Sequence, residues 1–188
     1  MGKQSYFAYG SNLNEDDLHA WCAKNGRQYP LARKVCVGYL PDSQLVFNYD
    51  SERRQGGVLS YQGGCIGQVV PGVVFEVDDD GVATLDIKEG VKVNGNGAYT
   101  RQKISVLTED GGAIDAITYQ TNPLHAESYV APHADYIRVV RKGYLEHMLR
   151  EGGLLCAAGN EPQPFLIPQL FTYGTLMRGE CRSRRLHP

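Results

Sequence analysis

The sequence predicts an α+β fold, a small mixed β-barrel-like sheet with helices at its periphery. Three observations carry that expectation. Strand-like runs crowd the first two thirds of the chain, with few helical patterns between them. No long βαβαβ series is present, which argues against a doubly wound parallel sheet. One clear amphipathic helix follows the strands, and 188 residues with 42% hydrophobic side chains suffice for one substantial core.

The chain opens on Ser5-Tyr6-Phe7-Ala8-Tyr9-Gly10-Ser11-Asn12-Leu13, a short buried strand that breaks into a tight polar turn. Asn14 is placed to cap a helix over Glu15–Lys24, with Glu15, Asp16 and Asp17 in its first turn and Leu18, Trp21 and Cys22 on one face. Lys34–Leu40 and Gln44–Tyr49 read as strands broken by Pro41-Asp42. Asp50–Gly67 is glycine-rich and polar, a loop with a short strand at Val58–Tyr61, and Val69–Val77 is a core strand.

Asp78, Asp79 and Asp80 make an N-cap cluster for a short helix to about Glu89, with Val82, Leu85 and Ile87 as its apolar positions and Gly90 after it. Tyr99–Thr108 and Ala113–Gln120 flank Glu109-Asp110-Gly111-Gly112 as a hairpin. Pro123–Pro132 is a long loop. The longest helix is expected from about His133 to Arg150, with Ile137, Val140, Tyr144, Leu145 and Met148 on one side and Gly152-Gly153 as its stop.

These elements divide the chain into a domain over 1–156, a proline-containing linker over 157–169, and a final segment over 170–188. The last contains Phe171-x-Tyr173-Gly174-Thr175, an echo of Phe7-x-Tyr9-Gly10-Ser11. It reads as the first strand of a truncated or degenerate second copy; the alternative is a last strand completing the first domain's sheet.

Charge and cysteines narrow the function classes. Nineteen basic against twenty-one acidic side chains, with no long basic run, do not suggest a nucleic-acid partner. Five widely spaced cysteines without a Cys-x-x-Cys pair indicate neither a zinc site nor a disulfide framework. No apolar run approaches membrane-spanning length and no signal-peptide pattern opens the chain, so a cytoplasmic location without membrane partners is expected. Ser11 lacks the Gly-x-Ser-x-Gly elbow, and the glycines form neither a P-loop nor a dinucleotide fingerprint. His125, Glu127 and His133 are a weak metal pattern.

Two stretches carry the chemistry. A strand ending in glycine and small polar residues can aim backbone N–H groups at a ligand. Glu89 ends a capped helix, where a carboxylate can be directed into a cleft. Taken together, Tyr9-Gly10-Ser11-Asn12-Leu13, then Leu85-Asp86-x-x-Glu89-Gly90-Val91, then Tyr99, resemble the γ-glutamylcyclotransferase family over most of residues 5–155. Val73-Val74-Phe75 is similar to the family's central strand, and Ala131-Pro132-x-x-x-Tyr136 to its C-terminal region. The terminal Tyr173-Gly174-Thr175-Leu176-Met177 resembles a variant from another branch of the superfamily.

The resemblance implies a small mixed barrel in which Tyr9, Gly10, Ser11, Asn12 and Leu13 form the substrate-binding loop. Glu89 falls on the catalytic acid/base position, and Tyr99 and Tyr136 match pocket tyrosines, although Val93–Ala98 varies in length from relatives. The implied reaction closes a γ-glutamyl group to 5-oxoproline and releases an amino acid or amine. It requires a small γ-glutamyl substrate and no metal, nucleotide or flavin cofactor. The alternatives are a superfamily member specific for γ-glutamylamines, glutathione or a γ-glutamyl-protected metabolite, and a non-catalytic module of the same fold. The C-terminal half-repeat could instead dock on a partner or a second chain, and the oligomeric state stays open.

Overall fold

The computed structural model describes residues 2–164. The echo at 170–188 and the last residues of the expected linker lie outside them. Among the described residues seven strands form: β1 (Lys3–Ala8), β2 (Arg33–Pro41), β3 (Ser43–Ser51), β4 (Gly56–Gly63), β5 (Val69–Asp78), β6 (Tyr99–Thr108) and β7 (Ala113–Thr121). Five of them close into a barrel in the order β1-β5-β2-β6-β7, and β3 pairs with β4 as a separate antiparallel ribbon. The barrel is mixed. Its neighbours are antiparallel except β1 and β7, which meet in parallel at Tyr6↔Ile117.

The central strand β5 explains why the core is continuous. Adjacent Val73 and Val74 point to opposite faces, yet both are fully buried, because the barrel interior takes one and the outer layer covers the other. Around the barrel lie α1 (Glu15–Lys24), α2 (Asp79–Lys88), α3 (Ala134–Glu146) and α4 (Gly152–Ala158). Asn14 caps α1 by accepting from the Asp17 N–H at 3.0 Å, and Asp78 caps α2 by accepting from the Gly81 N–H at 2.7 Å.

Four expectations need correction. Helix α3 ends at Glu146, four residues short of Arg150; His147 caps it and Met148 turns left-handed at φ +57°. Leu145 and Met148 are therefore 64% and 90% exposed, and the buried face is Tyr136, Val140, Gly143 and Tyr144, spaced i, i+4, i+7, i+8. Ile87 is likewise half exposed. The stretch expected to be mostly loop forms the full eight-residue β4, because Gly57 lets it pass close to the chain at Val130. A Cβ there would lie 2.0 Å from the Val130 oxygen. Gly152-Gly153 opens α4 instead of only ending α3, and α4 runs through Ala158, two residues into the stretch expected to be linker. Beyond it, Gln163 is tied to β3: its side chain accepts from the Leu45 N–H at 3.0 Å, and its carbonyl accepts from Gln68 Nε2 at 2.9 Å.

Helix α3 rests on the turn after β1 through Gly143. A Cβ at that position would lie 2.7 Å from the Asn14 nitrogen and the Leu13 carbonyl carbon, so only glycine permits this approach. Gly143→Ala is expected to cost roughly 1–3 kcal/mol, the usual penalty for overpacking, readable as a lower urea midpoint.

His147 adds a pH dependence. Its ring lies edge-on to Phe75, with centroids 5.8 Å apart. Burial, reinforced by Lys34, lowers its pKa below the ordinary value of 6.5. The folded state thus favours the neutral ring, and the stability this confers is complete above that value and lost as pH falls through the lower folded-state pKa. His147→Gln should reduce the loss of urea midpoint between about pH 7 and pH 5.

Candidate active site

The turn after β1 is a single 3₁₀ turn, Ser11–Leu13, with the Leu13 N–H donating to the Gly10 carbonyl at 3.0 Å and the Asn14 N–H to that of Ser11 at 3.1 Å. The N–H groups of Ser11 and Asn12 open the turn and have no acceptor within it, as at any helix start. Leu13 departs from the expected substrate loop. Its N–H is engaged, and its side chain is fully buried beneath Gly143 instead of lining the cavity. Tyr9 fixes the end of the strand: its hydroxyl donates to the Tyr119 carbonyl at 2.6 Å, and its own carbonyl accepts from the Tyr144 hydroxyl at 3.1 Å.

Glu89 caps the C-terminus of α2, and Gly90 turns the chain away at φ +66°. One turn earlier the helix is tied to the barrel wall. Asp86 accepts from the Tyr119 hydroxyl at 2.8 Å and from Arg101 Nη1 at 3.1 Å, while Leu85 is fully buried. The i, i+3 spacing of Asp86 and Glu89 then carries the second carboxylate toward the turn.

There the two stretches meet. Asn12 Nδ2 donates to Glu89 Oε1 at 2.9 Å and to the Tyr6 hydroxyl at 2.7 Å. Lys88 Nζ lies 3.8 Å from the same Oε1. Oε2 has no hydrogen-bond or ion-pair partner among the described residues.

The Glu89 carboxylate borders a narrow chamber of about 40 Å³ walled by Tyr6, Tyr9, Tyr99, Tyr119 and Tyr136, with Gly10, Ser11, Asn12 and Leu59 completing it. Burial raises the pKa of all five phenols, that of Tyr136 to about 12. They are neutral hydroxyls at any ordinary pH, and so can donate hydrogen bonds without adding charge. Tyr99 and Tyr136 also hold the β3–β4 ribbon as a roof: the Tyr99 hydroxyl donates to the Leu59 carbonyl at 3.0 Å, and the Leu59 N–H donates to the Tyr136 hydroxyl at 3.3 Å.

Ser11, Glu89, Tyr99 and Tyr136 also border a wider outer vestibule of about 210 Å³, which adds Tyr49, Ser51, Arg53, Arg54 and Lys88. Arg54 is bidentate to Asp17, at 3.0 and 2.6 Å, and its guanidinium lies 5.2 Å from the Tyr136 ring centroid.

The structure thus brings Tyr9, Gly10, Ser11, Asn12, Tyr99 and Tyr136 to Glu89 and leaves Leu13 out. Sequence reasoning missed Tyr6, Tyr119 and Leu59 in the chamber and the basic groups outside it. Adjacency to Tyr9 was a signal for Tyr6, and adjacency to Glu89 was one for Lys88. Tyr119 and Leu59 arrive only through tertiary pairing.

A closed five-stranded mixed barrel thus carries a strand-end polar turn facing a helix-end glutamate, the architecture of the γ-glutamylcyclotransferase-like fold. The family model described as gamma-glutamyl cyclotransferase, AIG2-like, matches residues 6–138, and the chain belongs to that family. It is 35% identical to mouse gamma-glutamylcyclotransferase over 150 residues, covering 77% of this chain and 71% of the relative. The human gamma-glutamylcyclotransferase is 31% identical, with the same coverage. A solved structure described as gamma-glutamyl cyclotransferase superposes with a TM-score of 0.67 at 26% identity, covering 91% of this chain and 94% of the other.

Proposed function

We propose that this protein cyclises a γ-glutamyl group to 5-oxoproline and releases the attached amino acid or amine, with Glu89 as general acid and base. The free α-amine of the γ-glutamyl group attacks its own γ-carbonyl, forming the lactam C–N bond, and the original γ-amide C–N bond then breaks. Nucleophile and electrophile belong to one molecule, so holding the folded conformer supplies much of the rate, with effective molarities on the order of 10⁵ M or more.

The observation that carries this reading is the contact of Asn12 with Glu89 inside a chamber of neutral phenols, with Oε2 unengaged. Glu89 Oε2 takes the proton of the attacking amine, and the same oxygen returns it to the leaving nitrogen. Holding Oε1 through Asn12 fixes the plane of the carboxylate throughout. Asn12 Oδ1 is buried without a partner, an acceptor for a substrate N–H. The N–H groups of Ser11 and Asn12, together with the Tyr6 and Tyr136 hydroxyls, which act only as acceptors among the described residues, are donors for the oxygen that gains charge in the tetrahedral intermediate.

A panel of γ-glutamyl dipeptides, glutathione and γ-glutamylamines tests the reading. At least one member should yield 5-oxoproline in step with the released amine. Failure of every member to yield it would overturn the proposal.

A further inference from the structure

The five phenols of the chamber are not equivalent as hydrogen-bonding groups. Tyr9 donates its one hydroxyl proton to the Tyr119 carbonyl at 2.6 Å, Tyr99 to the Leu59 carbonyl at 3.0 Å, and Tyr119 to Asp86 Oδ1 at 2.8 Å. A hydroxyl committed in this way offers a ligand only its lone pairs. Tyr119 alone of the three is committed to a carboxylate. Asp86 is not among the residues that wall the chamber, and the cyclisation described above gives it no task. Its other oxygen accepts from Arg101 Nη1 at 3.1 Å, so both of these neighbours are donors. An ionised carboxylate meets two donors without conflict, and its charge polarises the phenol that it holds.

We infer that Asp86 is a positioning residue: it keeps the Tyr119 hydroxyl a hydrogen-bond acceptor toward the α-ammonium of the γ-glutamyl group. This rests on the cyclotransferase reading above. An ammonium brings three N–H donors. Asn12 Oδ1, buried without a partner, and Glu89 Oε2 are two open acceptors of the site, and the Tyr119 oxygen is the third. The residues that carry them adjoin one another. Tyr119 packs against Tyr6 with ring centroids 5.9 Å apart, and the Tyr6 hydroxyl is bonded to Asn12, which holds Glu89. Burial, together with the bond to Asp86, raises the Tyr119 pKa, so the phenol keeps its proton and directs it at Asp86. After Asp86→Asn the side chain has one oxygen for two donors. When that oxygen goes to Arg101, the amide N–H faces Tyr119 and turns the phenol proton toward the chamber, where it opposes an ammonium.

Glutaryl-alanine, which is γ-glutamyl-alanine without its α-amine, isolates this contact, because it keeps the rest of the substrate and cannot cyclise. Wild type, Asp86→Asn, Tyr119→Phe and their double variant are compared by KM for γ-glutamyl-alanine and by Ki for glutaryl-alanine. Asp86→Asn should raise KM by roughly tenfold, the scale of a lost hydrogen bond to a charged group, and leave Ki unchanged. Tyr119→Phe should do the same. It keeps the ring and the backbone bond from Tyr9, so it reads the same contact even where Asp86→Asn fails to fold. The double variant should be no worse than either single one, the non-additivity expected of two residues acting as one unit. An unchanged KM in the single variants, KM and Ki rising together, or the two effects multiplying in the double variant would reduce Asp86 to a support for α2. Any of these overturns the positioning role and leaves the cyclotransferase reading standing. If wild type yields no 5-oxoproline, calorimetry with the same two compounds takes the place of kinetics. Tighter binding of γ-glutamyl-alanine than of glutaryl-alanine, lost in Asp86→Asn and in Tyr119→Phe, then keeps the positioning role while the reaction assignment falls. Absence of both turnover and that difference overturns both.

Discussion

Glu89→Gln is expected to lower kcat for 5-oxoproline release by roughly 10³-fold, within the range of general acid–base catalysis, while the far-ultraviolet circular dichroism stays unchanged. The amide keeps the size of the carboxylate and can still meet Asn12, so the chamber should keep its shape. What it loses is the ability to accept a proton and return it. Because Oε2 has no partner among the described residues, the substitution removes no contact other than those at Oε1. The fold does not depend on the charge: α2 is held by the Asp78 cap, by Leu85 in the core and by Asp86 against Tyr119 and Arg101. A Gln variant with wild-type turnover would remove Glu89 from the mechanism.

Asn12→Leu should cost roughly 10- to 100-fold in kcat, with a smaller change in KM, since a charge-assisted hydrogen bond to the reacting group is lost. In the proposed mechanism Asn12 positions the carboxylate, spanning the two halves of the site from the Tyr6 hydroxyl at 2.7 Å to Glu89 Oε1 at 2.9 Å. Leucine fills a similar volume without either contact, so the carboxylate can rotate. The companion Asn12→Asp separates positioning from packing. Two carboxylates at that distance cannot both ionise freely and must share a proton. Its pH–rate profile should therefore change shape on the acidic side, whereas a purely structural defect would scale the whole profile down. An Asn12→Asp profile that merely scales would contradict the positioning role.

The parts of this site that were legible in the sequence are those fixed by local geometry. Tyr9-Gly10-Ser11-Asn12 ends a strand, and Glu89 ends a capped helix, and each placement follows from a few neighbouring residues. Leu13 lies outside the chamber because, as the third residue of the 3₁₀ turn, it is buried against Gly143. Tyr119 enters the chamber because β7 closes the barrel against β1, with Thr118 Oγ1 donating to the Phe7 carbonyl at 2.8 Å, and no local pattern encodes that closure. Leu59 depends on the β3–β4 ribbon, whose second strand was underread because Gly56-Gly57 signals a turn unless the close approach to Val130 is known. The end of α3 misled for a related reason. Leu145 and Met148 fit the apolar spacing, but the helix pivots on Gly143 and stops at Glu146, leaving both in solvent.

The central claim is that the γ-glutamyl bond is broken by the substrate's own amine and not by water. Product analysis in ¹⁸O-labelled water tests it most directly. Incubation with γ-glutamyl-alanine should give 5-oxoproline and alanine in equal amounts, with no label in the 5-oxoproline. Glutamate carrying one labelled oxygen, formed in place of 5-oxoproline, would show that water is the nucleophile and contradict the account.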